Sequence, residues 1–178
     1  TAGLKKVTME LGSNSPLVVM DDADLEKVAQ AAVTTGYANA GQVCISAQRV
    51  IALDRVYGDL IDALKPRVAA ISAGNQLQDG IKMGPMVREA DAVRVGEWVD
   101  EAVAAGAKLV CGGARQGALY PATLLADVTP GMRISREELF GPAVGVSRAA
   151  NIDDAIAMAS DTNYGLSAAI FTQDIDRA

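Results

Sequence analysis

Short apolar runs alternate with longer amphipathic segments along most of the chain. Apolar residues at helical spacing predict helices over about 23–38, 57–72, 88–105 and 152–159. Short runs rich in β-branched and apolar residues predict strands over 16–20, 49–53, 108–111, 120–125, 143–147 and 166–171. Strand and helix in this alternation are typical of an α/β domain with a largely parallel sheet.

Polar segments that contain glycine precede four of the predicted strands. They cover residues 10–12, 41–44, 137–142 and 163–165. If these strands are parallel, all four segments lie along the amino-terminal edge of the sheet. Ligands of open α/β sheets normally bind at the opposite, carboxyl-terminal edge. A site on this side would make sense if a second domain covered the edge and brought a cofactor.

Length and composition favour one domain with an aliphatic core. A chain of 178 residues can bury roughly 70% of its unfolded surface. Half of its residues are hydrophobic but only 4% are aromatic, so helices packed on a sheet are favoured over an aromatic-rich sandwich. The net charge of −6 argues against nucleic acid or an anionic membrane as a partner. With no run of 18 apolar residues and no signal-peptide pattern, we expect a cytoplasmic protein.

The scarcity of cysteine and histidine restricts the possible chemistry. Cys44 and Cys111 are too few for a disulfide framework or a cysteine-based metal site, and the chain has no histidine. We therefore predict no metal site, and Ser-His-Asp or Cys-His catalysis within this polypeptide is excluded. Proton transfer near neutral pH would need a carboxylate with a raised pKa, a lysine with a lowered pKa, or water.

Cys44 is a candidate nucleophile because it lies in a short polar loop between a predicted helix and a predicted strand. The alternative is a small apolar residue that fills space at the start of the strand. The carboxyl end of the preceding helix disfavours a thiolate, and a free thiol with a pKa of about 8.5 is only a few per cent ionised at pH 7. Backbone N–H groups, Arg49 or a bound cofactor could lower the pKa of Cys44.

Two acidic segments offer candidate carboxylates. Glu10 lies between Met9 and Leu11, and a dry environment there would raise its pKa and make it a general base; alternatively it is an ordinary surface residue. Glu138 belongs to an acidic pair before a turn, and such pairs are usually solvated. Phe140, next to a Gly-Pro turn, suits either contact with a planar ligand or an anchor in the core.

The same segments carry a close resemblance to a known family. Segments 9–16 (MELGSNSP), 39–44 (NAGQVC), 137–142 (EELFGP) and 163–172 (NYGLSAAIFT) resemble, in order and spacing, the catalytic domain of the NAD(P)-dependent aldehyde dehydrogenase superfamily. The resemblance covers the chain from end to end. It implies a three-layer Rossmann-like domain over 1–178, with a mostly parallel sheet and helices on both faces.

The resemblance also implies a role for each candidate residue. Cys44 would attack the aldehyde carbon, and the thiohemiacetal would lose hydride to NAD or NADP and leave a thioester. Glu10 would activate the water that hydrolyses the thioester. The two remaining sets of residues would bind the cofactor: Glu138 at the nicotinamide ribose with Phe140 packed nearby, and Leu11 and Gly12 against the nicotinamide.

The resemblance implies that the substrate is a small-molecule aldehyde and that neither nucleic acid nor a membrane is a partner. It also implies that the parent protein is a homo-oligomer, either a dimer or a tetramer. Ser13 departs from the commoner Glu-Leu-Gly-Gly motif. We expect most of the cofactor domain before Thr1 and the subunit-joining elements after Ala178, so the chain alone is expected to be a truncated and inactive piece.

Two alternatives to the acid-forming enzyme stay open. A CoA-acylating relative would pass the thioester to CoA, although Glu10 argues against it because the water-activating carboxylate is then typically missing. A non-catalytic domain of the same fold would have an inert Cys44. Both enzyme hypotheses instead predict that Cys44 is alkylated faster than Cys111.

Overall fold

The computed structural model describes residues 3–9 and 11–178. Over this part of the chain, six strands form one sheet in the order β3-β4-β5-β2-β1-β6. The strands are β1 (Pro16–Val19), β2 (Arg49–Leu53), β3 (Lys108–Cys111), β4 (Thr123–Ala126), β5 (Ala143–Ala149) and β6 (Ala169–Phe171). Neighbouring strands are parallel except β3 and β4, which are antiparallel. The prediction of a mostly parallel sheet is confirmed, and the antiparallel edge pair is an addition to it.

The helices flank this sheet. They are α1 (Leu25–Gly36), α2 (Asp54–Ala69), α3 (Glu89–Ala104), the one-turn α4 (Arg133–Arg136) and α5 (Ile152–Ser160). Asp24 accepts a hydrogen bond from the N–H of Lys27 and begins α1, and Asn151 does the same for the N–H of Asp154 at α5. The four longer helices match the predicted ones, whereas α4 is too short to show a hydrophobic period in the sequence.

The order of the strands places helices on both faces of the sheet. From β1 through β2 to β5 the sheet grows in one direction, and α1 and α2 on this path pack against each other. From β5 to β6 the chain returns in the other direction through α5, which contacts β1, β2 and β5. Because parallel crossovers are right-handed, α5 lies on the face opposite to α1 and α2. The predicted three-layer, Rossmann-like arrangement is confirmed.

The core is aliphatic, as the composition predicts. Val50, Leu60, Leu124 and Leu125 are fully buried, and most of the other buried hydrophobic side chains are Ala, Val, Leu, Ile or Met. Within the described residues, no helix is both long enough and apolar enough to cross a membrane. The predicted strands over 120–125 and 166–171 are shorter in the structure, since pairing begins only at Thr123 and Ala169.

Candidate functional site

The amino-terminal edge of the sheet is where the candidate residues meet. Strands β5, β2, β1 and β6 are adjacent and parallel, so the loops that precede them lie side by side, as predicted. A cavity of about 440 Å³ at this edge is lined by Leu11, Gly12, Gln42, Val43, Cys44, Glu138 and Phe140. A second cavity of about 510 Å³ is lined by Met9, Leu11, Gly12, Cys44, Asn163, Tyr164, Gly165 and Leu166. The thiol and the two residues 11–12 are common to both cavities.

Five of the six predicted site residues therefore lie together, on three separate segments of the chain. The sixth, Glu10, lies outside the described residues. Its neighbours Met9 and Leu11 are 65% and 67% exposed. Neither side chain is buried in the core, and both line the second cavity.

A turn with left-handed backbone conformation precedes Cys44 in the chain. Asn39, Ala40 and Gly41 have φ angles of 50°, 56° and 67°, consecutive values in a region that L-residues rarely adopt. A Cβ atom at Gly41 would lie 2.1 Å from the carbonyl oxygen of Gly141. Only glycine allows this approach, which brings the loop before β2 against the loop before β5.

Cys44 then occupies a β-turn that is closed by a hydrogen bond of 3.0 Å from the N–H of Ser46 to the carbonyl of Val43. The Ser46 hydroxyl lies 3.2 Å from the carbonyl oxygens of Thr35 and Gly36 at the end of α1. This hydroxyl satisfies carbonyls of the helix terminus that would otherwise oppose a thiolate.

The two cysteines have different surroundings. Cys44 is half-buried and lines both cavities, whereas Cys111 packs against the hydrophobic core. Burial raises the pKa of the Cys111 thiol above its ordinary value. A reagent in either cavity would meet Cys44, whereas Cys111 lines neither of the two.

Glu138 and its neighbour Glu137 point to different partners. Glu138 accepts a hydrogen bond of 3.0 Å from the N–H of Ser13 through Oε1, and its Oε2 would lie 2.4 Å from a Cβ atom at Gly12. Glu137 is exposed and pairs with Arg133 at 3.2 Å. The expectation of a solvated acidic pair therefore holds for Glu137 only, because the Glu138 carboxylate lies against the backbone of the loop before β1.

The structure also accommodates the unusual Ser13. Its side chain is buried at 2% exposure, and its hydroxyl lies 2.9 Å from that of Ser15. A hydroxyl that replaces a glycine hydrogen here has a polar partner, so it carries no desolvation penalty of an unpaired group. Its N–H still holds Glu138.

Arg49 does not serve the thiol. Its guanidinium donates to the carbonyl oxygens of Asn14 at 3.1 Å and of Met158 and Ala159 at 3.0 Å. Burial lowers the pKa of Arg49, partly offset by Asp161. Arg49 connects the loop before β1 to the last turn of α5. Its guanidinium donates its hydrogen bonds to these carbonyl oxygens and does not stabilise a Cys44 thiolate directly.

The sequence reasoning missed Gln48, which is 3% exposed and accepts a hydrogen bond of 3.0 Å from the N–H of Leu139. Within the β2 region it looks like an ordinary polar residue at the start of a strand. The one signal in the sequence is an amide directly beside an apolar run, because such an amide needs a hydrogen-bond partner if it is buried.

Comparison with known proteins agrees with this geometry. The sequence pattern of the "Aldehyde dehydrogenase family" matches residues 1–178. The chain is 44% identical over 177 residues to 3-sulfolactaldehyde dehydrogenase of Priestia aryabhattai, covering 99% of this chain and 37% of that protein. It is 38% identical over 177 residues to the NADP(+) succinate-semialdehyde dehydrogenase of Escherichia coli K12, covering 98% and 37%.

A solved structure is similar as well. It is the NADP-dependent glyceraldehyde-3-phosphate dehydrogenase of Bacillus halodurans C-125 complexed with NADP, with a TM-score of 0.92, 38% identity, and coverage of 95% of this chain and 35% of that one. The chain thus spans a little over a third of the length of these relatives. Its sequence, sheet order and clustered motifs show that it belongs to the aldehyde dehydrogenase family.

Proposed function

We propose that the protein containing this chain oxidises a small aldehyde to a carboxylic acid with NAD or NADP, and that Cys44 is its nucleophile. One observation carries the proposal: Cys44 shares a cavity with the Glu138 carboxylate and the bare backbone of Gly12. A thiol, a carboxylate and a backbone surface without a side chain meet there on three different loops. This combination suits a reaction between an aldehyde and a nicotinamide.

The residues present fit a nicotinamide ribose. The Oε1 atom of Glu138 is held by the N–H of Ser13, which leaves lone pairs on the carboxylate for ribose hydroxyl groups. Gly12 has no side chain to fill the space beside Oε2, and Phe140, 38% exposed, lines the same cavity. Bound NAD or NADP supplies the hydride acceptor of the reaction.

The Cys44 thiol would lose its proton to water, and its sulfur would then form a bond to the aldehyde carbon while the C=O π bond breaks and the carbonyl oxygen becomes an oxyanion. Among the hydrogen bonds of the described residues, the N–H of Cys44 has no acceptor, so it is available to this oxygen. One such donor is worth roughly 3–4 kcal/mol in the transition state. Loss of hydride from the same carbon gives a thioester on Cys44, and water then releases the acid and restores the thiol.

Glu10 is proposed as the base that takes a proton from this water. The proposal is supported by its place in segment 9–16, directly before Leu11 and Gly12, which line both cavities with Cys44. Glu10→Gln should leave a burst of NAD(P)H equal to one turnover per site, followed by slow hydrolysis of the thioester. If hydride transfer were lost while deacylation stayed fast, this role of Glu10 would be wrong.

The full-length protein tests the proposal directly. We expect it to reduce NAD or NADP, measured by absorbance, with at least one member of a panel of small aldehydes, and we expect Cys44→Ala to abolish this activity. Cys111→Ala is the matched control and should retain it. Acyl-CoA formed in the presence of CoA would support the CoA-acylating alternative. An inert Cys44, alkylated no faster than Cys111, would support a non-catalytic domain.

The family resemblance also supports a further part of the proposal, assembly as a homodimer or homotetramer. A cytoplasmic location is proposed from the composition of the sequence alone. Light scattering of the purified full-length protein and fractionation of the cells that produce it would test them.

A further inference from the structure

Leu139 lies between the two proposed cofactor residues Glu138 and Phe140, and it is held from two sides. It is fully buried. Its N–H donates to Oε1 of Gln48 at 3.0 Å, and its carbonyl oxygen accepts a hydrogen bond from Nη1 of Arg94. Both backbone groups of Leu139 are therefore satisfied by side chains from distant parts of the chain.

Gln48 connects the thiol loop to this segment. It follows Cys44 in the same loop, directly before β2. Its backbone carbonyl accepts a hydrogen bond of 3.0 Å from the N–H of Gly145 in β5, and its side chain reaches Leu139. One buried side chain thus connects the loop of Cys44 directly to residues 138–140, and it cannot adopt another rotamer without losing this hydrogen bond.

Arg94 holds the same residue from α3. Its guanidinium lies 5.6 Å from the ring centroid of Trp98, and that of Arg133 lies 4.3 Å from the same centroid. The contacts of Arg94 with the Trp98 ring and with the Leu139 carbonyl orient its side chain. A helix, rather than a loop, therefore supports the second hydrogen bond to Leu139.

The segment needs such support because its backbone is strained. Phe140 has a φ angle of 50°, a left-handed conformation that is unfavourable for an aromatic residue. A strained residue keeps its conformation only where its surroundings determine it. Without the bonds to Leu139, residues 138–140 would relax and carry the Glu138 carboxylate and the Phe140 ring away from the thiol.

We propose that Gln48 is a positioning residue, assisted by Arg94, that fixes Glu138 and Phe140 relative to Cys44 through the backbone of Leu139. The inference rests on the proposed function, since it assigns the cofactor side of that site. Gln48 touches neither reactant in this assignment and acts only through Leu139.

The test uses Gln48→Met in the full-length protein, because methionine keeps the length of the side chain and removes the acceptor. We expect the dissociation constant and KM for NAD or NADP to rise about tenfold, the effect of one buried hydrogen bond. The rate at which iodoacetamide alkylates Cys44 without cofactor should stay within about twofold of the unmodified protein, since that reaction does not use residues 138–140. Hydrogen exchange in residues 133–142 should become faster.

Two further variants sharpen the result. Arg94→Met removes the donor on the other side of Leu139 from a half-buried position, so it should weaken cofactor binding in the same way, even if Gln48→Met fails to fold. Gln78→Met makes the same chemical change at an exposed residue and should change neither measurement.

Other outcomes would overturn the inference. A parallel loss of cofactor affinity and of Cys44 alkylation would show that Gln48 supports the fold in general. Unchanged cofactor affinity in both Gln48→Met and Arg94→Met would show that the Leu139 hydrogen bonds do not position the site. If the unmodified protein bound neither NAD nor NADP, the proposed function itself would fail. Cofactor binding by the unmodified protein is therefore measured before any variant is made.

Discussion

Gly41→Ala would add a single methyl group and separate the loop before β2, which carries Cys44, from the loop before β5, which carries Glu138. The Cβ atom would lie 2.1 Å from the carbonyl oxygen of Gly141 and 2.5 Å from its carbonyl carbon, whereas ordinary van der Waals contact begins at 3.4 Å. Both obstructing atoms belong to the backbone, so rotation of a side chain cannot remove the clash. One of the two loops must move by about 1.3 Å, the difference between 3.4 and 2.1 Å.

The free-energy change has two parts. Gly41 has a φ angle of 67°, and alanine in the left-handed region costs roughly 1–2 kcal/mol. The overlap with Gly141 adds about 1–3 kcal/mol, as for other insertions into packed regions. We therefore expect the free energy of unfolding to fall by about 2–5 kcal/mol.

Activity should fall more steeply than stability. A displacement of about 1 Å between reacting groups can lower a rate about 100-fold, and Gly41 and Gly141 lie on the two loops that carry Cys44 and Glu138. Urea denaturation and the kcat of NAD(P)-dependent aldehyde oxidation, both in the full-length protein, measure the two effects separately.

Gly80→Ala is the matched control. Gly80 also has a positive φ angle, 80°, but a Cβ atom there would meet nothing within 4 Å. This variant should lose only the conformational part, about 1–2 kcal/mol, and keep its kcat. Equal destabilisation by the two substitutions, or an unchanged kcat in Gly41→Ala, would refute the reasoning from close approach.

Three further predictions follow from the site and its supports. Gly12→Ala places a Cβ atom 2.4 Å from Oε2 of Glu138; the flexible carboxylate should swing away, and KM for NAD or NADP should rise about tenfold with little change in stability. In the Cys44→Ala variant, burial of Cys111 raises the pKa of the remaining thiol above its ordinary value, so its alkylation should be slow at neutral pH and reach half its maximum at a higher pH than the alkylation of a free thiol measured in parallel. Ser46→Ala removes the hydroxyl that satisfies the end of α1 and should lower the free energy of unfolding by about 1–2 kcal/mol, measured by urea denaturation.

Each of these has a result that contradicts it. Gly131→Ala is the control for Gly12→Ala, because a Cβ atom there meets nothing within 4 Å. If both substitutions raised KM equally, the contact between residue 12 and Glu138 would not be the cause. A half-maximum for Cys111 at or below the pH found for the free thiol would mean that its surroundings do not disfavour the thiolate. Unchanged stability of Ser46→Ala would show that water satisfies the helix terminus equally well.

The sequence by itself determined the elements and their class. The periods of apolar residues record which side of each helix or strand is buried, and this is local information. The predicted parallel sheet then brought the segments before β1, β2, β5 and β6 to one edge, which is how Cys44, Glu138, Phe140 and residues 11–12 could be grouped from the sequence. Periodicity does not record strand direction, so the antiparallel pairing of β3 with β4 was beyond it.

Only the tertiary structure showed what holds each of the two adjacent glutamates in place. Glu137 and Glu138 are chemically identical, and they differ because one meets Arg133 and the other meets the N–H of Ser13. The contacts between Gly41 and Gly141, and between Gln48 and Leu139, join residues about 100 positions apart. Contacts of this kind arise when packed layers bring loops together, because hydrogen bonds and steric exclusion depend on distance in space rather than along the chain.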